Sequence, residues 1–433
     1  MAWLSVLLIR LVGALGSFVL TAVIGRSLGM SYLGAFTSAL VAVQLISAVV
    51  CLGTQISLVR YSALDGGEGV PVSSTTFLWI ACGIALLIFS LLIGFSSVAT
   101  AIIPEELETK LQHSLLPSIF YAGPFISITM ISAGYFRGIG RPKWSAATDI
   151  GAIALLSSAL YLAYGVTGYS SARSLELERI YVMASIMVAI AAILLWPRPT
   201  RETLLSMSWS NVKFVIRRSI IYLFNNLFTL AGQSGLFVLA AFVIPDSVIG
   251  GTRAAERIAL LSTFALTSLN FVASRQITLR SSTSDSSSLM RLSRACSLLT
   301  TAAYLPILGA CLLAGEDLLE LFGEGAMQFQ VPLMIIISGY FFNAITGPVG
   351  LVLSLSGREK VMLRINVTSF IIGVICLFTL FLIAPGAALA YSIAISIATR
   401  NALALMAVRN HFGFWCLPNI RAWKHSVEIL RRL

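Results

Sequence analysis

Long apolar runs separated by short polar breaks make up most of this 433-residue chain. An apolar helix needs about 20 residues to cross the hydrocarbon core of a bilayer, and the pattern predicts twelve such spans. Six spans, a basic connecting segment and six further spans predict an all-α integral membrane protein. The expected spans are 3–25, 35–58, 75–98, 114–135, 145–164, 179–196, 219–243, 252–273, 295–315, 331–355, 364–384 and 387–408.

Two pairs of short segments indicate that the halves of the chain are related. The tetrapeptides Gly-Arg-Pro-Lys at 140–143 and Gly-Arg-Glu-Lys at 357–360 each lie between two apolar runs, and Gly34 and Gly250 occupy polar breaks. Both pairs have nearly the same offset, about half the chain. With an even number of spans per half, this predicts a parallel pseudo-twofold repeat around a central cavity. The expected parts are an N-terminal six-helix lobe (1–198), a cytoplasmic linker (199–218), a C-terminal six-helix lobe (219–410) and a cytoplasmic tail (411–433).

The composition agrees with a membrane protein and indicates its orientation. The chain is 58% hydrophobic and 11% charged, whereas a soluble domain carries roughly 25% charged residues. Its net charge is +11, but the Lys and Arg residues are unevenly placed. With the N-terminus inside, the inner loops carry most of them, which predicts that both termini are cytoplasmic. This asymmetry accounts for the basic character of the chain, so no nucleic-acid partner is expected.

Signatures of catalysis and of metal binding are missing from the sequence. It contains no P-loop, no G-x-S-x-G and no H-E-x-x-H motif, and its six cysteines form no C-x-x-C pair. We therefore expect a protein that is not an enzyme and that holds no cofactor. Active transport would draw on an ion gradient, of protons or sodium, on the membrane potential, or on removal of the product.

Polar residues inside the predicted spans are the best indication of a functional site, because each is costly in lipid. They follow stripes on the first two helices of each half, and four such helices would line a water-filled cavity. No Asp or Glu lies deep in any predicted span, whereas Arg10 lies about two turns into the first. The expected substrate-binding residues in these stripes are Arg10 in the first span, Gln44 and Gln55 in the second, Asn226 and Gln233 in the seventh, and Arg253 and Arg257 in the eighth.

Structural roles for the same residues stay open. Arg10 and Arg400 lie within reach of helix ends, so their side chains could extend to the membrane surface. Arg253 and Arg257, near the expected outer end of the eighth span, could be interfacial residues balanced by Glu256. Gly-Pro pairs at 123–124 and 347–348 interrupt equivalent spans, either as functional breaks or as packing kinks.

Five short motifs follow one another along the chain in a characteristic order. They are Ile24-Gly25-Arg26-Ser27-Leu28-Gly29 with Tyr32-Leu33-Gly34, then Leu52-Gly53 with Val59-Arg60, then Phe136-Arg137-Gly138-Ile139-Gly140-Arg141-Pro142-Lys143, then Leu321-Phe322-Gly323, and finally Pro385-Gly386-Ala387-Ala388. In order and spacing they resemble the polysaccharide, or lipid-linked oligosaccharide, flippases of the multidrug/oligosaccharidyl-lipid/polysaccharide exporter superfamily. Arg26, in the first motif, joins the expected substrate-binding residues.

The resemblance implies a twelve-helix, two-lobed transporter of the bacterial inner membrane. Such a protein flips an undecaprenyl-pyrophosphate-linked repeat unit of O-antigen (lipopolysaccharide), capsule or exopolysaccharide to the outer leaflet by alternating access. Its partners would be this glycan, membrane lipid and a polysaccharide polymerase. The sequence departs from the family at 232–235, where Gly-Gln-Ser-Gly lacks the acidic residue often found in helix 7.

Two other functions remain as alternatives. An ion-coupled multidrug exporter of the same superfamily would use membrane-embedded carboxylates and cationic substrates, and the cationic Arg10 argues against it. A polytopic polysaccharide polymerase or ligase would carry a large outer loop, and none is predicted here.

Overall fold

A computed structural model describes residues 2–63, 72–99, 116–166, 173–201, 203, 206–264, 266–267, 269–270, 273, 277, 286–323 and 325–419. These residues form helices joined by short turns, and no strand occurs among them. The helices as far as the connecting segment are α1 (Ala2–Val50), α2 (Thr54–Ala63), α3 (Ser74–Ala99), α4 (Leu116–Phe120), α5 (Gly123–Gly138), α6 (Pro142–Ala147), α7 (Ile150–Val166) and α8 (Arg173–Leu194). The later helices are α9 (Trp209–Leu230), α10 (Leu236–Ala240), α11 (Asp246–Leu260), α12 (Ser286–Glu320), α13 (Gln330–Thr346), α14 (Val349–Leu355), α15 (Glu359–Phe381) and α16 (Ala388–Phe412).

Seven helical segments in the described part are long and apolar enough to cross a membrane. The first, Leu11–Val50, overlaps two predicted spans, 3–25 and 35–58, because Gly29 (φ 85°, ψ 169°) divides α1 into two helical parts. The predicted fourth, fifth, seventh and eighth spans consist of shorter or interrupted helices. The other six long segments are Ser74–Gly94, Leu177–Leu194, Ser286–Glu320, Met327–Thr346, Glu359–Phe381 and Ala388–Phe412.

The helices group into two compact units. The first unit comprises residues 1–20 and 38–227, and the second comprises residues 21–37 and 228–433. The limits of these units differ from those of the predicted lobes in two places: the hairpin 21–37 belongs to the second unit, and the linker together with most of α9 belongs to the first. The division into two repeated six-helix lobes therefore stays a prediction. Part of the predicted tail, residues 420–433, lies outside the described residues.

Each unit has its own apolar core. In the first unit α5 packs against α2, α3 and α8, around large buried side chains such as Phe77, Phe89 and Phe136. In the second unit α16 packs against α13 and α15, and α13 also contacts α11 and α12. Some polar side chains of these helices, such as Arg253 and Glu256 on α11 and Asn401 on α16, are thereby buried in the second unit.

Both Gly-Pro pairs mark breaks between helices. A two-residue turn separates α4 from α5, which has Pro124 in its first turn. In the second unit α13 ends at Thr346 and α14 begins after Pro348. Because proline cannot donate the backbone hydrogen bond of a continuous helix, these breaks are fixed by the sequence.

The two Gly-Arg-x-Lys segments have the same backbone turn. Gly140 and Gly357 both adopt φ 75°. The amide of Arg141 donates to the carbonyl of Phe136 at 2.8 Å, and the amide of Arg358 donates to the carbonyl of Leu353 at 3.0 Å. A hydrogen bond of this 6→1 type, next to a glycine in the left-handed conformation, is the Schellman motif that ends many helices. The sequence repeat is therefore also a structural repeat.

Gly34 and Gly250 lie against each other inside the second unit. A Cβ atom on Gly34 would come within 1.9 Å of the carbonyl oxygen of Asp246, and one on Gly250 within 2.0 Å of that of Met30. Each glycine thus faces the carbonyl four residues before the other, which is the reciprocal contact that a local twofold axis produces. The helices that carry them can approach this closely only because both positions lack a side chain.

Candidate functional site

Helix α11 begins earlier than its hydropathy suggests. The predicted eighth span starts at 252, but α11 starts at Asp246, whose carboxylate in the first turn is favourable to the helix dipole. Arg253 and Arg257 consequently lie seven and eleven residues into the helix, about 10 and 17 Å along its axis. The helix therefore continues through the polar break before them, and their place near the outer face of the membrane stays a prediction.

Arg253 and Glu256 form a buried ion pair on α11. The Nη1 atom of Arg253 donates to Oε2 of Glu256, and the two side chains are 7% and 3% exposed. On its other side, the guanidinium lies 5.0 Å from the ring centroid of Phe237 in α10, within range of a cation–π contact. The expectation that no acidic residue lies deep in a span is therefore wrong for Glu256, which is neutralised by its own neighbour.

Tyr340 interacts with this ion pair and with two further arginines. It is a buried residue of α13, and it interacts electrostatically with Glu256, Arg253, Arg257 and Arg400. These residues come from three helices that contact one another, α11, α13 and α16. We call Arg253, Glu256, Arg257, Tyr340 and Arg400 the arginine cluster.

The arginine cluster has an excess of positive charge. Three guanidinium groups interact with Tyr340 and one carboxylate does so, so the four ionised groups sum to a charge of +2. Burying charge away from water is costly unless an opposite charge or hydrogen-bonding partner is present. A cluster of this composition suits a ligand with more than one negative charge, and guanidinium groups match phosphate oxygens in geometry.

Arg400 belongs to this cluster rather than to the membrane surface. It stands at the middle of α16, twelve residues from either end of the helix, so about 18 Å separates it from each end. A side chain of that length cannot bridge this distance to the interface. It also interacts electrostatically with Tyr340, which favours a place among the neighbouring helices.

Three expected site residues lie in the first unit. Gln44 on α1 and Asn226 on α9 are partly buried. Gln55 on α2 is 5% exposed, and neither atom of its side-chain amide has a hydrogen-bond partner among the described residues. A buried amide without such a partner is unfavourable for stability, which singles out Gln55 from the three.

The other expected residues are not part of the arginine cluster as described. Arg26 is exposed, in the hairpin that belongs to the second unit. The side chains of Arg10 and Gln233 lie outside the described part of the structure, so their roles stay predictions. Among the expected residues, the structure brings together Arg253 and Arg257.

Sequence reasoning missed Tyr340 and the placement of Arg400. A lone tyrosine in an apolar run gives no signal of its own, since tyrosine is common in such helices. Arg400 was noticeable as a charge within a span, but its neighbours on α11 and α13 depend on tertiary packing. As for metals, no group of three or more His, Cys, Asp or Glu side chains that could hold an ion occurs among the described residues.

Comparison with known proteins gives the family of this chain. Residues 2–273 match the family model described as "Polysaccharide biosynthesis protein", which is more than half of the sequence. The chain therefore belongs to the polysaccharide biosynthesis protein family, in agreement with the motifs. No curated protein matches its sequence.

Solved structures give the fold. The lipid II flippase MurJ in an inward closed conformation aligns with a TM-score of 0.69 at 14% identity, over 99% of this chain and 90% of that one. An inward-facing multidrug resistance MATE family transporter of the MOP superfamily aligns with a TM-score of 0.67 at 12% identity, over 98% and 99%. A MOP superfamily transporter from Pyrococcus furiosus, whose binding pocket is described as having reverse polarity, aligns at 0.65 and 12%, over 95% of each chain. The expected all-α multi-pass membrane fold is confirmed.

Proposed function

We propose that this protein is a flippase for an undecaprenyl-pyrophosphate-linked oligosaccharide, carried from the cytoplasmic to the outer leaflet of the bacterial inner membrane by alternating access. The observation that carries the proposal is the arginine cluster, with three buried or partly buried guanidinium groups against one carboxylate. Membership of the polysaccharide biosynthesis family supports a glycan cargo. The substrate would be a repeat unit of O-antigen, capsule or exopolysaccharide.

A pyrophosphate linkage explains why the site should be cationic. It carries two or more negative charges at neutral pH, and moving them through a membrane requires compensating charges within the protein. Arginine keeps its proton under all physiological conditions and offers several donors in a fixed plane. Arg257 and Arg400 would contact the phosphate oxygens, and Arg10 and Arg26 would act as additional cationic contacts.

Amide side chains would bind the sugar. Gln44, Gln55 and Asn226 offer amide donors and acceptors, which are the groups that recognise hydroxyl-rich ligands. Gln233 would act in the same way. The protein transports its substrate without changing it and is not an enzyme under this proposal, and it needs no cofactor.

A multidrug exporter is the second candidate, because MATE transporters share the fold. The charge of the arginine cluster argues against a cationic drug, since a net charge of +2 repels it. Glu256, a buried carboxylate of the cluster, is already paired with Arg253. We therefore retain the flippase function and expect that the protein does not transport cationic dyes.

The setting of the protein follows from the proposed cargo. Both termini would lie in the cytoplasm, membrane lipid would surround the spans, and a polysaccharide polymerase at the outer face would consume the flipped unit. That consumption, the membrane potential or a proton or sodium gradient would give the cycle its direction.

The proposal is tested in cells that make the polysaccharide. Replacing the gene by one encoding Arg257→Gln/Arg400→Gln should abolish surface polysaccharide, while undecaprenyl-linked repeat units accumulate in the membrane fraction. The matched control is Arg291→Gln, an exposed arginine of α12, which should export normally. Normal export by the double variant at equal protein level would contradict the proposal.

A further inference from the structure

The buried pair Arg253–Glu256 raises the question of why a carboxylate is present in a site for an anion. Glu256 lowers the positive charge of the arginine cluster, and its burial is costly unless Arg253 remains its partner. Arg253 in turn is held on two sides, by the Glu256 carboxylate and by the ring of Phe237 5.0 Å away. Arg253 and Glu256 are thus a direct ion pair within the arginine cluster.

We propose that Glu256 is an internal substitute for the phosphate group of the substrate. It occupies Arg253 when the site holds no substrate, and it yields Arg253 to a phosphate oxygen when the substrate binds. This inference rests on the proposed function, since it concerns the same site and an anionic ligand. Glu256 is accordingly a positioning residue that sets how tightly the phosphate is held.

The geometry of α11 supports such an exchange. Arg253 and Glu256 are three residues apart, so they share one helical face and separate by side-chain rotation, without movement of the helix. Arg257 lies next to Glu256 and one turn from Arg253, and it interacts with the same Tyr340. Tyr340 interacts electrostatically with Glu256 and with all three arginines, so the Glu256 carboxylate stays in the positive surroundings of the cluster when a phosphate takes Arg253.

The exchange has a consequence for transport. A flippase must release its substrate as well as bind it, and a site with three unopposed arginines would hold a pyrophosphate too long. An internal carboxylate competes with the phosphate in every cycle and so favours release. Removing the carboxylate should therefore raise affinity and lower turnover at the same time.

The test measures binding of inorganic pyrophosphate to the purified full-length protein in detergent by isothermal titration calorimetry. Glu256→Gln keeps the size and the hydrogen-bonding capacity of the side chain, and it should bind pyrophosphate at least tenfold more tightly than the wild type. The matched control is Glu178→Gln, since Glu178 is an equally buried carboxylate in α8 of the other unit. Its affinity for pyrophosphate should equal that of the wild type.

Further variants keep the result decisive. Arg253→Gln should weaken pyrophosphate binding severalfold. The double variant Arg253→Gln/Glu256→Gln restores the charge balance, so it should fold even if Glu256→Gln does not. It should not show the gain in affinity expected of Glu256→Gln. In cells, Glu256→Gln should export polysaccharide more slowly at normal protein level. A gain in affinity is a change that damage to the fold does not produce, so it distinguishes the exchange from a structural role.

Each outcome decides one claim. Unchanged or weaker pyrophosphate binding by Glu256→Gln would overturn the role of Glu256. The proposed function would still stand if the wild type binds pyrophosphate and Arg257→Gln binds it more weakly. If neither the wild type nor any variant binds pyrophosphate, the anionic substrate itself is contradicted, and the exchange falls with it.

Discussion

At the scale of single residues, charge placed inside the second unit is the feature with the greatest consequence. Arg400 is partly buried in the middle of a helix, and Tyr340, with which it interacts electrostatically, is buried. Such groups are retained in membrane helices for a function or for a partner. The following predictions separate charge from shape at these positions.

Arg400→Lys should retain part of the export activity and Arg400→Gln should lose most of it. Lysine keeps the charge but not the planar arrangement of donors, whereas glutamine removes the charge. Loss of one charged hydrogen bond corresponds to about 1.5–3 kcal/mol, or roughly a 10- to 100-fold loss. Surface polysaccharide, measured at equal protein level, checks this order, and equal activity of both variants would contradict it.

Gln55→Met should make the protein more stable and less active. The buried amide has no hydrogen-bond partner among the described residues, and replacing such a group by an apolar one of similar shape should add about 1 kcal/mol to the free energy of unfolding. Thermal unfolding in detergent gives the stability, and polysaccharide export gives the activity.

The control for this substitution is Gln44→Met. Gln44 is only partly buried, so its substitution should change the unfolding temperature less than Gln55→Met does. A lower unfolding temperature for Gln55→Met would show that Gln55 has a structural role instead.

At the scale of elements, the repeated turns and the glycine contact are the parts of the fold that the sequence specifies most directly. Gly140→Ala or Gly357→Ala should each lower the free energy of unfolding by about 1–2 kcal/mol, because φ 75° is unfavourable for alanine. Neither position has an atom within 4 Å of the added Cβ, so crowding contributes nothing. Thermal unfolding of the purified variants provides the measurement.

Gly83→Ala is the matched control for these turns. It also has open space around the added Cβ, but it lies inside α3 and has no positive φ. Alanine there should stabilise the helix by about 0.5–1 kcal/mol. If all three substitutions gave the same sign, backbone conformation would not be the cause.

Gly34→Ala and Gly250→Ala should be more damaging than the turn variants. The added Cβ would meet a backbone carbonyl at 1.9 or 2.0 Å, and a backbone cannot rotate away as a side chain does. Overpacking of this kind costs about 1–3 kcal/mol, and the double variant should cost less than the sum, because one separation of the helices relieves both contacts. Gly309→Ala, which has nothing within 4 Å, is the control in the same unfolding measurement.

The sequence predicted these elements to different degrees. Periodic apolar runs, the Gly-Pro breaks and the Gly-Arg-x-Lys turns follow from local chemistry, and the structure has them. The start of α11 was placed too late, at 252 rather than Asp246, because hydropathy reports contact with lipid and not helical conformation. The arginine cluster joins residues more than 80 positions apart along the chain, so local patterns could not reveal that Arg400 and Tyr340 meet α11.

At the scale of the whole molecule, the chain is strongly apolar, with a mean hydropathy of +0.91. The four charged side chains of the arginine cluster nevertheless lie together in its second unit. The fold is shared by flippases and drug exporters, so fold alone does not select the cargo. Under the proposed function, the positive charge of the arginine cluster selects an anionic cargo. The account thus depends on the cargo being negatively charged.

Transport in proteoliposomes tests that dependence most directly. Purified protein is reconstituted with a fluorescent undecaprenyl-pyrophosphate-linked oligosaccharide, and the fraction of label accessible to a membrane-impermeant quencher is followed over time. A parallel set of vesicles contains a cationic dye. The wild type should move the lipid-linked glycan but not the dye, and Arg253→Gln/Arg257→Gln/Arg400→Gln should move neither. Dye transport by the wild type, or undiminished glycan transport by the triple variant, would contradict the account.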